Sequence, residues 1–311
     1  MHFLVTGGAG FLGTALANRL AHDGHRVIVL DDLSNSKPDR LKTAVQFQQG
    51  DIDNIPLLWS LLQDVDCVYH LAARVSVAQS ILHPRDYNRV NVGGTVSLME
   101  AMRDTGVSRV VFTSSGAVYG NQPQQPVHEE DPPKPDSPYA VSKWSAEQYI
   151  HTIGSLWEIE TVALRIFNAY GPYQSLPVSH APVIPRFLQQ ALTGGSVVIF
   201  GDGTQSKDFV YIDDVVAALI SAATAKGINR QMINIGSGVE TSVNQLVDEI
   251  ERVNGRSAKR IYNREKTGGV PRLVADISRA QTQLGFRPQT NLATGLQRIL
   301  EEDRRFSLAI L

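Results

Sequence analysis

Apolar residues in the first half of the chain gather in short runs over 3–6, 26–30, 45–48, 67–71, 110–114 and 161–166. These runs are rich in Val, Ile and Phe and alternate little with polar residues, the pattern of strands covered on both faces. Between them, 11–23, 55–63, 87–105 and 137–153 read as helices. Gly24 and Gly106 follow two of these segments, where a left-handed residue suits a helix end. Strand and helix in alternation predict an α/β fold built on a doubly wound parallel sheet.

Beyond about Ile166 the texture changes. Pro172, Pro177, Pro182 and Pro185 interrupt regular patterning, and the elements shorten. A helix is expected over 213–224, with Asp213 and Asp214 favouring its positive N-terminal end. Further strand and helix pieces are expected over 232–235, 242–253 and 293–303. The expected organisation is a sheet domain over 1–166, with a return segment near 207–235, and a smaller irregular α/β lobe over 167–311. No internal repeat is apparent.

Composition narrows the picture by exclusion. The 311 residues are 42% hydrophobic and 19% charged, ordinary for a soluble globular chain. A formal net charge of −2 leaves no basic field for nucleic acid or an anionic membrane. The longest apolar stretch, 215–223, is far short of the roughly 20 residues of a membrane span. Met1 leads directly into a strand without a basic leader, so a cytoplasmic protein is expected. Cys67, the only cysteine, excludes an internal disulfide and is expected to be a buried, inert thiol. The eight histidines show no metal-ligand spacing, and His70 suits a strand end better than a ligand set.

Two motifs carry candidate chemistry. Gly7, Gly10 and Gly13 follow the first strand and open the first helix. The first glycine permits a tight turn, the second lets backbone approach a pyrophosphate, and the third lets helix and strand pack closely. This makes the sheet domain a Rossmann-type dinucleotide site, with phosphates facing the helix N-terminus. Asp31 closes the second strand, where a carboxylate accepts from a ribose diol and repels a 2′-phosphate, favouring NAD over NADP. Lys37 and Arg40 downstream soften that discrimination. Asp51 and Ile52, after the third strand, suit the adenine. The second motif pairs Tyr139 with Lys143, four residues apart and so on one helix face. An unperturbed tyrosine titrates near ~10, too high for a base at neutrality. An adjacent ammonium and a positively charged nicotinamide are expected to lower it. Ser115, at the end of the fifth strand, is placed to hydrogen-bond the same substrate hydroxyl.

These residues resemble the extended short-chain dehydrogenase/reductases, and among them the nucleotide-sugar epimerases and dehydratases of which UDP-galactose 4-epimerase is typical. The likeness runs over essentially the whole chain. Its markers are Thr6–Gly13, Asp31–Ser36, Gly50–Ile52, His70–Ala73, Asn91–Thr95, Ser114–Gly120 and Tyr139–Lys143. In the second half they are Arg165–Pro172, Phe200–Gly203, Asp208–Asp214 and Ala275–Ser278. The resemblance implies that NAD is retained by Gly7, Gly10, Phe11, Leu12, Gly13, Asp31, Asp32, Ser34, Asn35 and Ser36. It adds Asp51, Ile52, Leu71, Ala72, Ala73, Asn91, Thr113, Tyr139, Lys143 and Phe167 to that cofactor set.

The resemblance also implies a reaction. Tyr139, with Lys143 and Ser115, removes the proton of the sugar's 4-hydroxyl while hydride leaves C4; the 4-keto sugar turns over and takes hydride back on its other face. Dehydratases of the family carry an Asp-Glu pair directly after the position of Ser115, and decarboxylases usually keep the Glu. Here Gly116 and Ala117 stand there, which favours C4 epimerisation of the UDP-glucose/UDP-galactose type. The nucleotide half of the substrate is expected at Asn168, Val183, Val198, Phe200, Lys207 and Lys266, the two lysines replacing arginines of many relatives. Leu273 matches a position that sets the room beside the sugar and, being large, favours unsubstituted hexoses over N-acetylated ones. A homodimer through the helices over 87–105 and 137–153 is expected from the same likeness. Alternatives are an NAD(P)H-dependent 4-ketosugar reductase, a UDP-glucuronate or TDP-sugar 4-epimerase, and a non-catalytic NAD-binding regulator.

Overall fold

The computed structural model describes residues 1–177, 181–265 and 269–307. Its centre is a parallel sheet of seven strands. Six come from the first half: β1 (His2–Thr6), β2 (Arg26–Asp31), β3 (Gln46–Gln49), β4 (Cys67–His70), β5 (Arg109–Ser115) and β6 (Glu160–Ile166). Each lies within one residue, at either end, of the run that predicts it. Next along the chain come β7 (Asn168–Tyr170), β8 (Ser196–Phe200), β9 (Ser206–Tyr211) and β10 (Gln231–Ile235). Of these, β10 returns to the large sheet beside β6, giving the order β10-β6-β5-β4-β1-β2-β3. The strand order reverses between β1 and β4, and sheets of this kind take ligands in the crevice at the carboxyl ends beside such a reversal.

Helices cover both faces. On one, α1 (Phe11–His22) packs against the return helix Ile212–Thr224; on the other lie α2 (Ile55–Leu61) and two long helices described below. The near-continuous apolar strands are explained by this double cover: Phe3 and Val5 point into one core, Leu4, Ile28 and Leu30 into the other. The first core runs on without a break into the second half, through Phe187, Leu246 and Leu296. Cys67 is fully buried in it, and burial pushes its thiol up to about 12.

The segment over 87–105 differs from its single predicted helix. After α3 (Val77–Leu82) it divides into α4 (Pro84–Tyr87), a π-helical turn at Asn88–Gly93, and α5 (Gly94–Thr105). Asn91, at the turn, hydrogen-bonds backbone outside the helix, while the Thr95 hydroxyl donates to the Asn91 carbonyl (2.6 Å), the competition that opens such turns. α6 (Pro138–Leu156) is continuous, with Pro138 in its first turn and Ser137 as N-cap accepting from the Ala140 N–H.

In the second half the prolines do not prevent a helix. Pro182 caps α7 (Val183–Leu192), and Pro185 sits in its first turn, where no intrahelical acceptor awaits its missing N–H. α8 (Ile212–Thr224) and α9 (Val243–Asn254, opened by a Ser242/Gln245 capping box) follow the expected pattern. Here β9 is central, pairing β7, β11 (Glu240–Ser242) and a two-residue strand at Arg272–Leu273, while β8 pairs Lys259–Asn263. Among the described residues no helix is long and apolar enough to cross a membrane.

Candidate active site

The glycine loop follows β1 and is shaped by three different constraints. Gly7 has φ +68°, and a Cβ there would strike the Ala72 backbone nitrogen at 2.7 Å. A Cβ on Gly13 would lie 2.5 Å from the Gly8 Cα, so loop and helix touch at this residue. Gly10 is different: its Cβ would approach only the Gly7 carbonyl, at 3.2 Å. It therefore borders an open cradle. Beneath it, α1 begins without a side-chain cap and without an acidic residue in its first turn, so its N–H groups are left for an anion. The loop and the helix end fit a dinucleotide pyrophosphate.

Asp31 is buried and binds its own surroundings closely. One carboxylate oxygen accepts from the Ala9 N–H (3.0 Å); the other accepts from the Leu33 N–H (2.9 Å) and the Ser36 hydroxyl (2.6 Å). It orders the glycine loop and the turn through Asp32, Ser34 and Asn35 together, and retains lone-pair room for a ribose hydroxyl. Asp51 is half outside, paired with Arg89 (3.2 Å); burial alone would raise its carboxyl, but bonds from the Asp53 N–H and Arg89 hold it below the usual range. Ile52 is buried against Gly94. Phe11 and Leu12 pack partly buried on the core, and the Thr113 hydroxyl donates to the His70 carbonyl (3.2 Å).

Behind the crevice, one hydrogen-bond chain joins four elements. Because the Thr95 hydroxyl donates to Asn91, its oxygen accepts from His70 Nε2 (2.9 Å); Nδ1 then accepts from the Thr6 hydroxyl (2.8 Å). Thr6 in turn accepts from the Ala72 N–H (3.3 Å). Burial, with Lys143 nearby, lowers His70 to about 3, so it stays neutral and locked in this role. Asn91 accepts from the Arg74 N–H (2.8 Å) and donates to the Arg74 carbonyl (3.0 Å) and the Ser142 hydroxyl (2.9 Å). Its amide is thus committed to holding the Leu71–Arg74 segment beside α6. The sequence reading placed Asn91 in the site as a cofactor residue; this clamping is what the geometry adds.

Tyr139 and Lys143 lie one turn apart on α6, and Tyr139 shares a cavity wall with Ser115 at the end of β5. The Tyr87 ring stands edge-on to Tyr139, centroids 6.4 Å apart. Lys143 is 3% exposed, with Nζ 4.3 Å above the Phe112 ring. Burial pulls its ammonium down to about 7, opposed by Glu147 one turn further along α6. The protein alone does not depress Tyr139 as expected. Burial pushes its phenol up, outweighing the lowering influence of the Ser115 hydroxyl, and Tyr87 adds to the rise.

Ser115, Gly116 and Ala117 form one wall of a cavity of about 370 Å³, with Tyr139, Phe167, Asn168 and Val183 around it. None of the described residues lining it is charged. Asn168 donates to the Asp208 carbonyl (3.3 Å). Val198 and Phe200 alternate with the buried Val197 and Ile199 on β8 and so face the other way. Lys207 donates from Nζ to the Val270 carbonyl; burial draws it down to about 8, with Asp136 opposing. Leu273 is 6% exposed and packs with Val118, Phe167 and Ala275, so it backs Phe167 rather than lining the cavity. Lys266 lies outside the described residues. Arg186, absent from the sequence reading, stands over the Phe200 ring at 5.3 Å, one turn beyond Val183. Its Nε is buried without a hydrogen-bond acceptor among the described residues. No spacing signal distinguishes it in the sequence.

Known proteins resemble this chain over nearly its whole length. Residues 3–236 match the model of a family described as the NAD dependent epimerase/dehydratase family. The UDP-glucose 4-epimerase of Mycolicibacterium smegmatis is 39% identical over 308 residues, spanning 97% of this chain and 98% of that protein. The crystal structure of UDP-glucose 4-epimerase from Thermotoga maritima with UDP-glucose superposes at a TM-score of 0.94 and 34% identity, over 99% of this chain and 100% of that one. The UDP-glucuronic acid 4-epimerase of Bacillus cereus, solved with UDP-glucuronic acid and NAD, gives 0.89 at 33% identity over 97% and 98%.

Proposed function

The chain belongs to the NAD dependent epimerase/dehydratase family, and we propose that it interconverts UDP-glucose and UDP-galactose by inverting C4 through a transient 4-keto sugar. The observation that carries this reading is that Ser115 and Tyr139 line one cavity, beside Gly116 and Ala117, whose described residues carry no charge. When bound, NAD+ supplies a reversible two-electron acceptor for the hydrogen at C4. Tyr139 takes the proton from the 4-hydroxyl, Ser115 hydrogen-bonds the same oxygen, and Lys143 favours the phenolate by its charge. The nicotinamide's positive charge acts in the same direction, against the burial that raises Tyr139. Gly116 and Ala117 transfer no proton, so elimination of water has neither its acid nor its base.

The glycine loop, the open end of α1 and Asp31 hold NAD; 1–166 with the return of 207–235 is the cofactor domain and 167–311 mainly the substrate lobe. Asn168, Val183, Val198 and Phe200 receive the nucleotide. Arg186 supplies the diphosphate with a guanidinium that position 207 lacks, because its buried Nε wants an acceptor and Lys207 is turned to Val270. A cavity whose described residues carry no charge favours neutral hexoses over uronic acids, whose C6 carboxylate would find no cation among them. The working unit is a cytoplasmic homodimer.

The test is incubation of the purified protein with UDP-galactose, and separately UDP-galacturonate, without added NAD, following the anomeric proton by NMR. UDP-glucose is expected to accumulate from the first and little product from the second. Oxidation of UDP-galactose to a 4-keto sugar with one equivalent of added NAD+ consumed and released as NADH would make the protein a 4-ketosugar reductase running in reverse; turnover of the uronate alone would overturn the substrate assignment.

A further inference from the structure

One group of buried charges stands directly behind the proton-transfer pair. Glu147, fully buried, continues the Tyr139–Lys143 face of α6 by one more turn. Both of its oxygens are held by Arg165 of β6, Oε1 by Nε at 2.9 Å and Oε2 by an Nη at 2.8 Å. Arg165, 1% exposed, is itself fixed, its guanidinium lying 4.8 Å over the Tyr119 ring. The Tyr119 hydroxyl donates to Asn234 of β10 (2.7 Å). A buried ion pair contributes little to stability compared with a packed apolar pair, so its presence calls for another reason.

We propose that Glu147 and Arg165 are positioning residues that set the charge of Lys143: Glu147 keeps a buried ammonium beside Tyr139, and Arg165 fixes the carboxylate and limits its pull. This rests on Tyr139 and Lys143 being the proton-transfer pair.

The groups that face Lys143 make Glu147 decisive. From β4 comes His70, which is neutral; from β5 comes only the Phe112 ring. On α6 itself stand Tyr139, neutral in the protein alone, and, beyond Glu147, His151, which burial lowers and which is bonded to Thr161 at 2.8 Å. α4 contributes Tyr87, raised by burial and turned to the Ser76 carbonyl. Glu147 is therefore the one anion acting on Lys143 among the described residues. Even with Glu147 the ammonium is held only to about 7, so without that carboxylate burial would strip the proton at still lower pH, and the phenolate of Tyr139 would lose the cation that favours it.

The sign of each substitution follows. Glu147→Gln keeps the shape and one acceptor for Arg165 but removes the negative charge, so Lys143 loses its proton at lower pH. Arg165→Gln removes the opposing positive charge, so Lys143 keeps its proton to higher pH. Two readouts are used: the basic limb of the kcat/KM profile, and the titration of Lys143 by NMR of ε-13C-lysine-labelled protein, assigned with Lys143→Met. Glu147→Gln is expected to move both down by about one pH unit, Arg165→Gln to move both up, and Arg165→Lys to leave them nearly in place. Opposite displacements are not produced by loss of packing. If Arg165→Gln does not fold, Glu147→Gln decides alone. A Lys143 midpoint unmoved in that variant, or both variants displaced in one direction, overturns the proposal. Because the titration needs no turnover, an inactive wild-type enzyme would refute the catalytic reading without touching this measurement.

Discussion

Lys143 illustrates how a single side chain is held against its own solvation preference. Its ammonium is buried in the protein, and burial lowers it from the ordinary 10.5 to about 7 despite Glu147. In the unfolded chain the same group stays protonated to about 10.4. Between these values the unfolded state binds more protons, so the lysine's contribution makes stability rise with pH from about 7 to 10.5. Below 7 the full penalty of a buried charge is present. Lys143→Met removes that penalty and leaves Glu147 neutralised by Arg165. With NAD removed, the variant is expected to be more stable than the wild type at pH 6 by roughly 1–4 kcal/mol, the gain shrinking toward pH 10. Urea denaturation at the two pH values measures it. A gain that grows with pH would mean that the lysine is not the strained group.

At the scale of elements, the turn from β1 into α1 separates folding from binding within seven residues. Gly13→Ala forces helix and loop apart, since its Cβ would lie 2.3 Å from the Gly7 carbonyl. A loss of roughly 1–3 kcal/mol is expected, as for other overpacked contacts. Gly10→Ala meets only one contact, at 3.2 Å, and occupies the space above the end of α1. Its melting temperature is expected to stay close to that of the wild type while NAD affinity falls roughly tenfold or more, the backbone no longer reaching the pyrophosphate. Calorimetric titration and thermal melts of both variants separate the two effects; equal loss of stability in both would remove the distinction. This turn was legible in the sequence because each glycine answers a local constraint. So were the central strands of the large sheet, whose near-continuous apolar runs require cover on both faces. Other features depend on partners distant in the chain. The π-helical turn at Asn88–Gly93 arises from Asn91 reaching Arg74, and the direction of Lys207 from the Val270 carbonyl. Glu147 was readable in principle, as the third member of a series at 139, 143 and 147. Its partner Arg165 lies on another strand and carries no local sign of the pairing.

At the scale of the whole molecule, α6 has two faces with different tasks. Inward it presents Tyr139, Lys143 and Glu147; outward it leaves Val141, Tyr149 and Leu156 exposed by 45%, 48% and 72%. These three are eight and seven residues apart, so they fall on one stripe of the helix. An apolar stripe facing water is a cost in a monomer, and a second copy of the same helix would cover it with the self-complementarity that a two-fold axis demands. A stable pair needs about 800 Å² from each partner, more than one stripe supplies, so α5 alongside it must take part. Placing Glu at 149 sets two carboxylates close together across such an axis. Tyr149→Glu is therefore expected to sediment as a monomer at micromolar concentration where the wild type sediments as a dimer. The fold should survive, because Tyr149 is solvent-exposed and makes no core contact. Activity should fall by less than the change in assembly, because Ser115, Tyr139 and Lys143 lie within one chain and Tyr149 is on the exposed face of α6. A wild-type protein that is monomeric at that concentration would sink the dimer. A variant that stays dimeric would move the interface elsewhere, and the exposed stripe would then need another partner.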